Sequence, residues 1–450
     1  MGAKVYVQTL GCPKNLVDSE IMLGLVTREG AEIVLDPEAA DVYVVNTCAF
    51  IDPAKKESID AILDLARYKE SDPARRLIVT GCLAQRYGSE LQAAMPEVDA
   101  FLGTGDFNRL PALLRDTRPA DAGGYGGAAH LLPDSSLPRL RTGPFFSAYL
   151  KVSEGCDHRC AFCIIPKIRG RHQSRPLDSI LAEAATLAAD GVVELNLIAQ
   201  DLTAYGRDLR DGTSLAHLLR QLGGIDGLRW IRLLYTYPNF VSAPLLEAIA
   251  EVPSVCKYID MPLQHISDRM LRRMRRERSG SSVRKLIERI RAAVPGIALR
   301  TSCIVGFPGE TEDDFAELLE FVRQTRFDRL GVFEYSPEEG TEAGAFPDQV
   351  PARTKKRRYH ELMRVQAEVA AELSSALVGS WQEVLVCGEG DDGSIHGRLA
   401  TQAPDIDGFV RLEGHALPGE FVRAWITGAE VYDLVGRLPS LPIDRSVLHP

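Results

Sequence analysis

The chain has 450 residues, of which 45% are hydrophobic, 25% charged and 7% aromatic, and its net charge is −10. This is globular composition, which excludes a disordered, collagenous or membrane-spanning chain and leaves room for about two to four domains. The acidic balance argues against a protein that coats nucleic acid through bulk charge.

The first residues, MGAKVYVQTLGC, enter a strand-like pattern at once. No apolar run approaches the roughly 18 residues of a membrane span, so a cytoplasmic protein with no membrane association is expected. From residue 4 to about 105 the pattern alternates between strand and helix. KVYVQTL, DVYVVNT and RLIVTG are short β-branched runs, and NLVDSEIMLGLVTREG and PAKKESIDAILDLARYK have helical spacing. Such alternation predicts a parallel sheet covered on both faces. Residues 120–143 are rich in Gly, Pro and Ser and predict a linker.

Between about 144 and 380, six further strand candidates follow: SAYLKVS, VELNLIAQ, WIRLLYT, CKYIDMP, ALRTSCIVG and RLGVFEYS. The helical patterns between them, among them LDSILAEAATLAAD, SVRKLIERIRAAV and TEDDFAELLEFVRQT, predict a parallel barrel, full or partial. A long helical stretch, TKKRRYHELMRVQAEVAAELSSAL, closes this region. The tail from 381 changes to short β-rich runs between Gly- and Asp-containing turns, which predicts a small antiparallel barrel. Charge is uneven along the chain. Residues 1–138 carry 13 Lys+Arg against 20 Asp+Glu, 139–380 carry 34 against 31, and 381–450 carry 5 against 11.

Nine cysteines in a long chain with no secretory signal do not read as a disulfide framework. Cys156, Cys160 and Cys163 are clustered, with three and then two residues between them, just after the first barrel strand. Soft thiolates at this spacing suit an iron–sulfur cluster or zinc. Closed zinc sites want a fourth ligand, for which His158, inside the loop, is the candidate. Cys12, Cys48 and Cys82 are dispersed, 36 and 34 residues apart, yet each stands within about two residues of the C-terminal end of an expected parallel strand. That edge is where open α/β sheets bind ligands, so the three could converge. A single buried cysteine is usually a small packing residue; three in equivalent places call for another explanation.

The C-x3-C-x2-C loop with Phe162 before its last cysteine resembles the radical S-adenosylmethionine (SAM) enzymes. The order of motifs over essentially the whole chain resembles their methylthiotransferase family. GCPKNLVDSE at 11–20, CAFCIIPKIRGRHQSRP at 160–176 and YIDMPLQHIS at 258–267 are similar to its protein-modifying branch, RimO. The resemblance implies an α/β chain of three domains. These are a flavodoxin-like parallel sheet over 3–119, a partial (βα)6 TIM-like radical SAM core over 142–379, and a small β-barrel, the TRAM domain, over 381–448. It implies SAM and two 4Fe-4S clusters, one on Cys156, Cys160 and Cys163 and one on Cys12, Cys48 and Cys82. It also implies SAM contacts at Phe162, Gln200, Asp201, Gln264, Ile304 and Gly306, although ordinary strand-end turns would explain the last five equally well. Cys256, Cys303 and Cys387 match no motif and are expected to pack.

The implied reaction adds a methylthio group to the β-carbon of an aspartate in small-subunit ribosomal protein S-twelve. It would need a low-potential electron donor such as flavodoxin or ferredoxin, and a monomer is expected. Two alternatives stand beside it: a tRNA adenosine methylthiotransferase, and a non-catalytic iron–sulfur protein that binds ribosomes or senses redox state. Charge favours the protein substrate, since an acidic tail repels phosphate and suits a basic ribosomal protein. The basic stretches DRMLRRMRRER at 268–278 and TKKRR at 354–358 point the other way unless they are solvated helix faces.

Overall fold

The computed structural model describes residues 2–115, 132–390 and 393–439. Its first sheet is built from β1 (Lys4–Thr9), β2 (Glu32–Ile33), β3 (Val42–Thr47), β4 (Arg76–Gly81) and β5 (Ala100–Leu102), all parallel, in the order β2-β1-β3-β4-β5. This is the flavodoxin-like order. Every residue of the central β3 is buried, as its run of Val and Tyr requires. α1 (Pro13–Arg28), α2 (Asp52–Ser71), α3 (Cys82–Ala94) and α4 (Leu110–Arg115) cover the faces. Of the linker expected over 120–143, residues 120–131 lie outside the described residues. The part that follows is tied down by Arg139, which bridges Glu20 of α1 and Glu183 of the later core at 2.6 and 2.8 Å.

The core sheet contains the six expected strands, β6 (Ser147–Lys151), β9 (Glu194–Ile198), β10 (Trp230–Leu233), β11 (Val255–Asp260), β12 (Ala298–Val305) and β13 (Arg329–Glu334), in sequential parallel order. Between β6 and β9 the chain makes a two-strand ribbon, β7 (Ser153–Glu154) with β8 (Gln173–Ser174), and two helices, α5 (Ile165–Arg169) and α6 (Leu177–Ala189). The helices α7 (Leu215–Leu222), α8 (Ala243–Glu251), α9 (Asp268–Arg273), α10 (Gly280–Ala293) and α11 (Glu312–Thr325) complete the alternation, and α12 (Ala352–Ser375) is the long closing helix. Strand alternation sorts the side chains. Leu195, Leu197, Ile231, Leu233, Ile259 and Leu299 pack on the helices. Ile198, Trp230, Tyr258 and Ala298 face the other way, in one apolar cluster with Val5 and Val17 of the first domain and Leu385 and Ala403 of the last. Six strands do not close a barrel, so the neighbouring domains fill its open side.

The last domain is a closed five-strand barrel, β14 (Trp381–Glu389), β15 (Ile395–Arg398), β16 (Val410–Glu413), β18 (Leu434–Arg437) and β17 (Phe421–Ala429). Four seams are antiparallel as expected. The β16–β18 seam is parallel, because the chain must cross over through β17 to close the ring. Cys256 and Cys303 are buried among apolar side chains, and Cys387 is half-buried.

The last domain docks onto the core through ions as well as apolar area. Glu194 of β9 is fully buried and accepts from Arg398 of β15 at 2.6 and 3.0 Å, Arg232 of β10 at 3.2 Å and Ser147 at 2.7 Å. Burial alone would raise its carboxyl, but Arg398 and Arg232 outweigh that and hold it at about 2, against an ordinary 4.5. A depressed carboxyl stabilises fully above its unfolded value, and that contribution disappears as pH falls through the folded value. Acid unfolding followed by circular dichroism should therefore show a loss of stability between about pH 4.5 and pH 2. Glu194→Gln should remove that part of the acid response and lower stability at pH 7 by about 3–5 kcal/mol, because two buried guanidiniums lose their counter-ion.

Candidate functional site

Cys12, Cys48 and Cys82 each follow a strand: Cys12 three residues past β1 at the N-cap of α1, Cys48 one residue past β3, and Cys82 one residue past β4 at the first position of α3. Gly11 and Gly81 precede two of them at φ +91° and +94°. A Cβ on Gly11 would lie 2.8 Å from Cys48 Cβ, and one on Gly81 would lie 2.3 Å from Asn46 Oδ1. Only glycine permits both the left-handed turn and this closeness, so the two Gly-Cys pairs bring the thiols together. Burial raises the Cys82 thiol to about 11, and the neighbouring Cys12 and Cys48 add to that against the pull of Arg169. Cys48 is likewise raised by burial and by Cys12.

The second group, Cys156, Cys160 and Cys163, lies on the loop between β7 and α5. The Cys156 amide donates to Gly170 O at 3.1 Å and the Cys163 amide to Cys160 O at 3.1 Å. All three thiols are half-buried. Burial pushes Cys156 and Cys163 up to about 12, each raised further by Cys160. Arg276, just beyond α9, donates to Cys160 Sγ at 3.6 Å and packs 4.2 Å from the centre of the Tyr237 ring.

Each cysteine group supplies three thiols, the soft donors of iron–sulfur and zinc sites. A cubic cluster takes each thiolate on a different iron, so its ligands can come from one loop, as with Cys156, Cys160 and Cys163, or from separate strand-end turns, as with Cys12, Cys48 and Cys82. His158 is not aimed at the cysteines: its Nε2 is 2.7 Å from Asp201 Oδ2, and its ring stacks on Tyr237 at 3.6 Å.

The remaining candidate residues fall in different places. Asp201 uses its other oxygen to cap the Thr203 amide and hydroxyl, so it holds the strand-end turn and His158. Gln200 donates to Glu154, while its Oε1 is buried with no partner among the described residues, an acceptor open to a ligand's ammonium or hydroxyl. Gln264, at φ +76°, bridges β11 to β12 through its backbone, donating to Ser302 O and accepting from the Ile304 amide, both at 2.8 Å. Phe162 and Ile304 pack on one apolar cluster with Ala161, Met270, Met274 and Phe307. The Gly306 amide is engaged by Glu310, and its missing Cβ makes room for Lys355.

The two cysteine groups are joined by buried ions that the sequence did not reveal. Lys151 and Arg169 of the core pair with Asp18 of α1 and with Glu154 of β7. Arg169 also donates to Asn15 Oδ1 and, at 3.5 Å, to Cys82 Sγ. Asn15 in turn donates to Leu10 O and Thr47 O at 2.8 and 3.0 Å, which fixes the turns carrying Cys12 and Cys48. Burial lowers the amine of Lys14 to about 8, Arg169 adding to that while Cys12 and Glu154 oppose it. The basic stretches, by contrast, are largely used internally: Arg269 pairs with Asp314, Arg273 with Asp348, Arg275 with Glu342, and Arg357 and Arg358 with Glu312.

Three family models match the chain: an uncharacterised protein family, UPF0004, over 4–103, the radical SAM superfamily over 150–322, and the TRAM domain over 378–438. The chain is 51% identical to the "Ribosomal protein uS12 methylthiotransferase RimO" of Geotalea uraniireducens over 97% of its length and 98% of that protein's. It is 50% identical to the protein of the same name from Geobacter sulfurreducens, covering 97% and 99%. Among solved structures it is similar in fold to the radical SAM methyltransferase TsrM of Kitasatospora setae, with TM-score 0.55 and 15% identity over 76% of this chain and 77% of that one.

Arg169→Met should leave Asp18 and Glu154 short of a counter-ion at the domain junction. We expect the melting temperature of cluster-free protein to fall, by the equivalent of about 3 kcal/mol or more, as scanning calorimetry would record.

Proposed function

The chain belongs to the RimO family of uS12 methylthiotransferases and is a radical SAM enzyme of that activity. From that premise we propose that the acceptor is the β-carbon of an aspartate, that Cys156, Cys160 and Cys163 hold the cluster that binds SAM, and that Cys12, Cys48 and Cys82 hold a second 4Fe-4S cluster. When bound, these groups would supply the electron that cleaves SAM and the site at which the transferred sulfur is held. The observation that carries the reading is Arg169. It ends the helix that begins just past Cys163, yet its guanidinium lies on Cys82, so the mouth of the core and the strand ends of the first domain face one reaction space.

The chain's own residues have clear tasks there. Arg276 and Arg169 set positive charge and a donor beside the Cys160 and Cys82 sulfurs. Gln200 Oε1 offers an acceptor to the amino group of SAM, and Phe162 offers an apolar surface to its adenine. The packed cluster of Ala161, Met270, Met274 and Phe307 keeps water from that side of the site. No side-chain acid or base is needed at the carbon to be modified.

The reading extends to a cytoplasmic monomer served by flavodoxin or ferredoxin. Among the described residues no helix is long and apolar enough to cross a membrane. The self-paired arginines of 268–278 and the acidic last domain support a protein substrate over tRNA.

Anaerobically prepared protein should contain about eight iron and eight labile sulfide per chain; about four, or zinc, would contradict the assignment. Cys160→Ala should abolish reductive cleavage of SAM to 5′-deoxyadenosine, measured by chromatography. Cys48→Ala should stop methylthio transfer to uS12, measured by peptide mass spectrometry, while SAM cleavage continues. Methylthio transfer by the Cys48 variant would rule out the second cluster's role, and loss of a methylthio group from tRNA alone in a deletion strain would overturn the substrate.

A further inference from the structure

We propose that Lys14 recognises the carboxylate of the target aspartate, and so decides that an acid rather than an amide enters the site. The inference rests on the methylthiotransferase reading above. It starts from how the buried charges are paired. The junction buries the cations Lys14, Lys151 and Arg169 and the carboxylates Asp18, Glu154 and Asp260. Lys151 and Arg169 are bonded to both Asp18 and Glu154. Lys14 is only 7% exposed, and among the described residues its ammonium makes no hydrogen bond or ion pair. The ammonium lies over the face of Tyr235, 3.0 Å from the ring centroid.

A ring face attracts a cation but does not neutralise it, and it leaves the other side of the ammonium free for an anion. A buried cation with no anion bonded to it is costly, which points to a counter-ion supplied by a ligand. Asp260 is not that counter-ion, because it is engaged by Arg300 at 2.8 Å and by the Tyr235 amide at 3.1 Å. The position fits the chemistry. Lys14 lies two residues past Cys12 in the first turn of α1, whereas Tyr235 lies just past β10 in the core, held at φ +63°. The ammonium therefore sits where the cysteine strand ends of one domain meet the mouth of the other. A carboxylate held there presents its β-carbon one bond away, and the N-terminal dipole of the 16-residue α1 adds to the attraction.

The test uses two labelled peptides spanning the modified loop of uS12, one with the native aspartate and one with asparagine in its place. Their binding to cluster-loaded enzyme without reductant is measured by fluorescence anisotropy. Wild-type protein should prefer the acid by roughly tenfold to a hundredfold, the range for one charge-assisted contact. Lys14→Met should bind both peptides alike, and Lys14→Arg should keep part of the preference. Equal binding by the wild type, or an undiminished preference in Lys14→Met, would overturn the proposal. So would a Lys14→Met protein unable to take up iron, since Lys14 would then belong to the cluster. Mass spectrometry of the native peptide after turnover judges the reaction separately: a clear acid preference without methylthio product would sink the reaction reading and leave the carboxylate contact standing.

Discussion

The whole arrangement depends on four charges removed from water: Lys151 and Arg169 on one side, Asp18 and Glu154 on the other. Isolated, each would be prohibitively costly to bury; together they cancel and accept one geometry only. Because Asp18 belongs to α1 and the other three to the core, the square of ions locks two domains whose apolar contact alone would tolerate sliding. Its directional bonds also orient Asn15, and through it the turns that carry Cys12 and Cys48. Stability and site geometry thus share one set of atoms.

The legible parts of this molecule are those in which local pattern and topology agree. Short β-branched runs between amphipathic helices gave the parallel sheets, and the rule that such sheets work at their C-terminal edges turned three scattered cysteines into a group. β2 and β5, with two and three residues, are too short to show any periodicity. The parallel β16–β18 seam was hidden for another reason, since adjacency within a ring is decided by closure rather than by any single strand. Arg169 and Lys14 were missed because their significance lies in partners far along the chain. Arg169 is 151 residues from Asp18, and Lys14 meets Tyr235 across a domain boundary. Asp201 shows the reverse case. Its place at a strand end suggested a ligand contact; a carboxylate two residues before a threonine is also a turn cap, and Asp201 makes that bond with one oxygen and meets His158 with the other.

The acidic balance of the last domain, read from composition, takes on a structural meaning once Glu194 is seen. Arg398, one of its few basic residues, is turned inward to the core, so its positive charge is unavailable at the surface. Asp407 of the same domain is likewise turned inward, onto Tyr258, so what the domain presents outward keeps the acidic balance of its residue count, and a basic partner would meet little opposition.

The parallel seam has a consequence for biosynthesis. β18 is hydrogen-bonded to both β16 and β17, so the ring stays open until the last described strand has left the ribosome. Arg398 reaches Glu194 from a strand of that ring, which means a pocket assembled from residues as early as Cys12 gains its final buttress only when residue 437 is in place. A nascent chain can build the cysteine turns early, but the ring that braces the core closes only once β18 has paired with both neighbours.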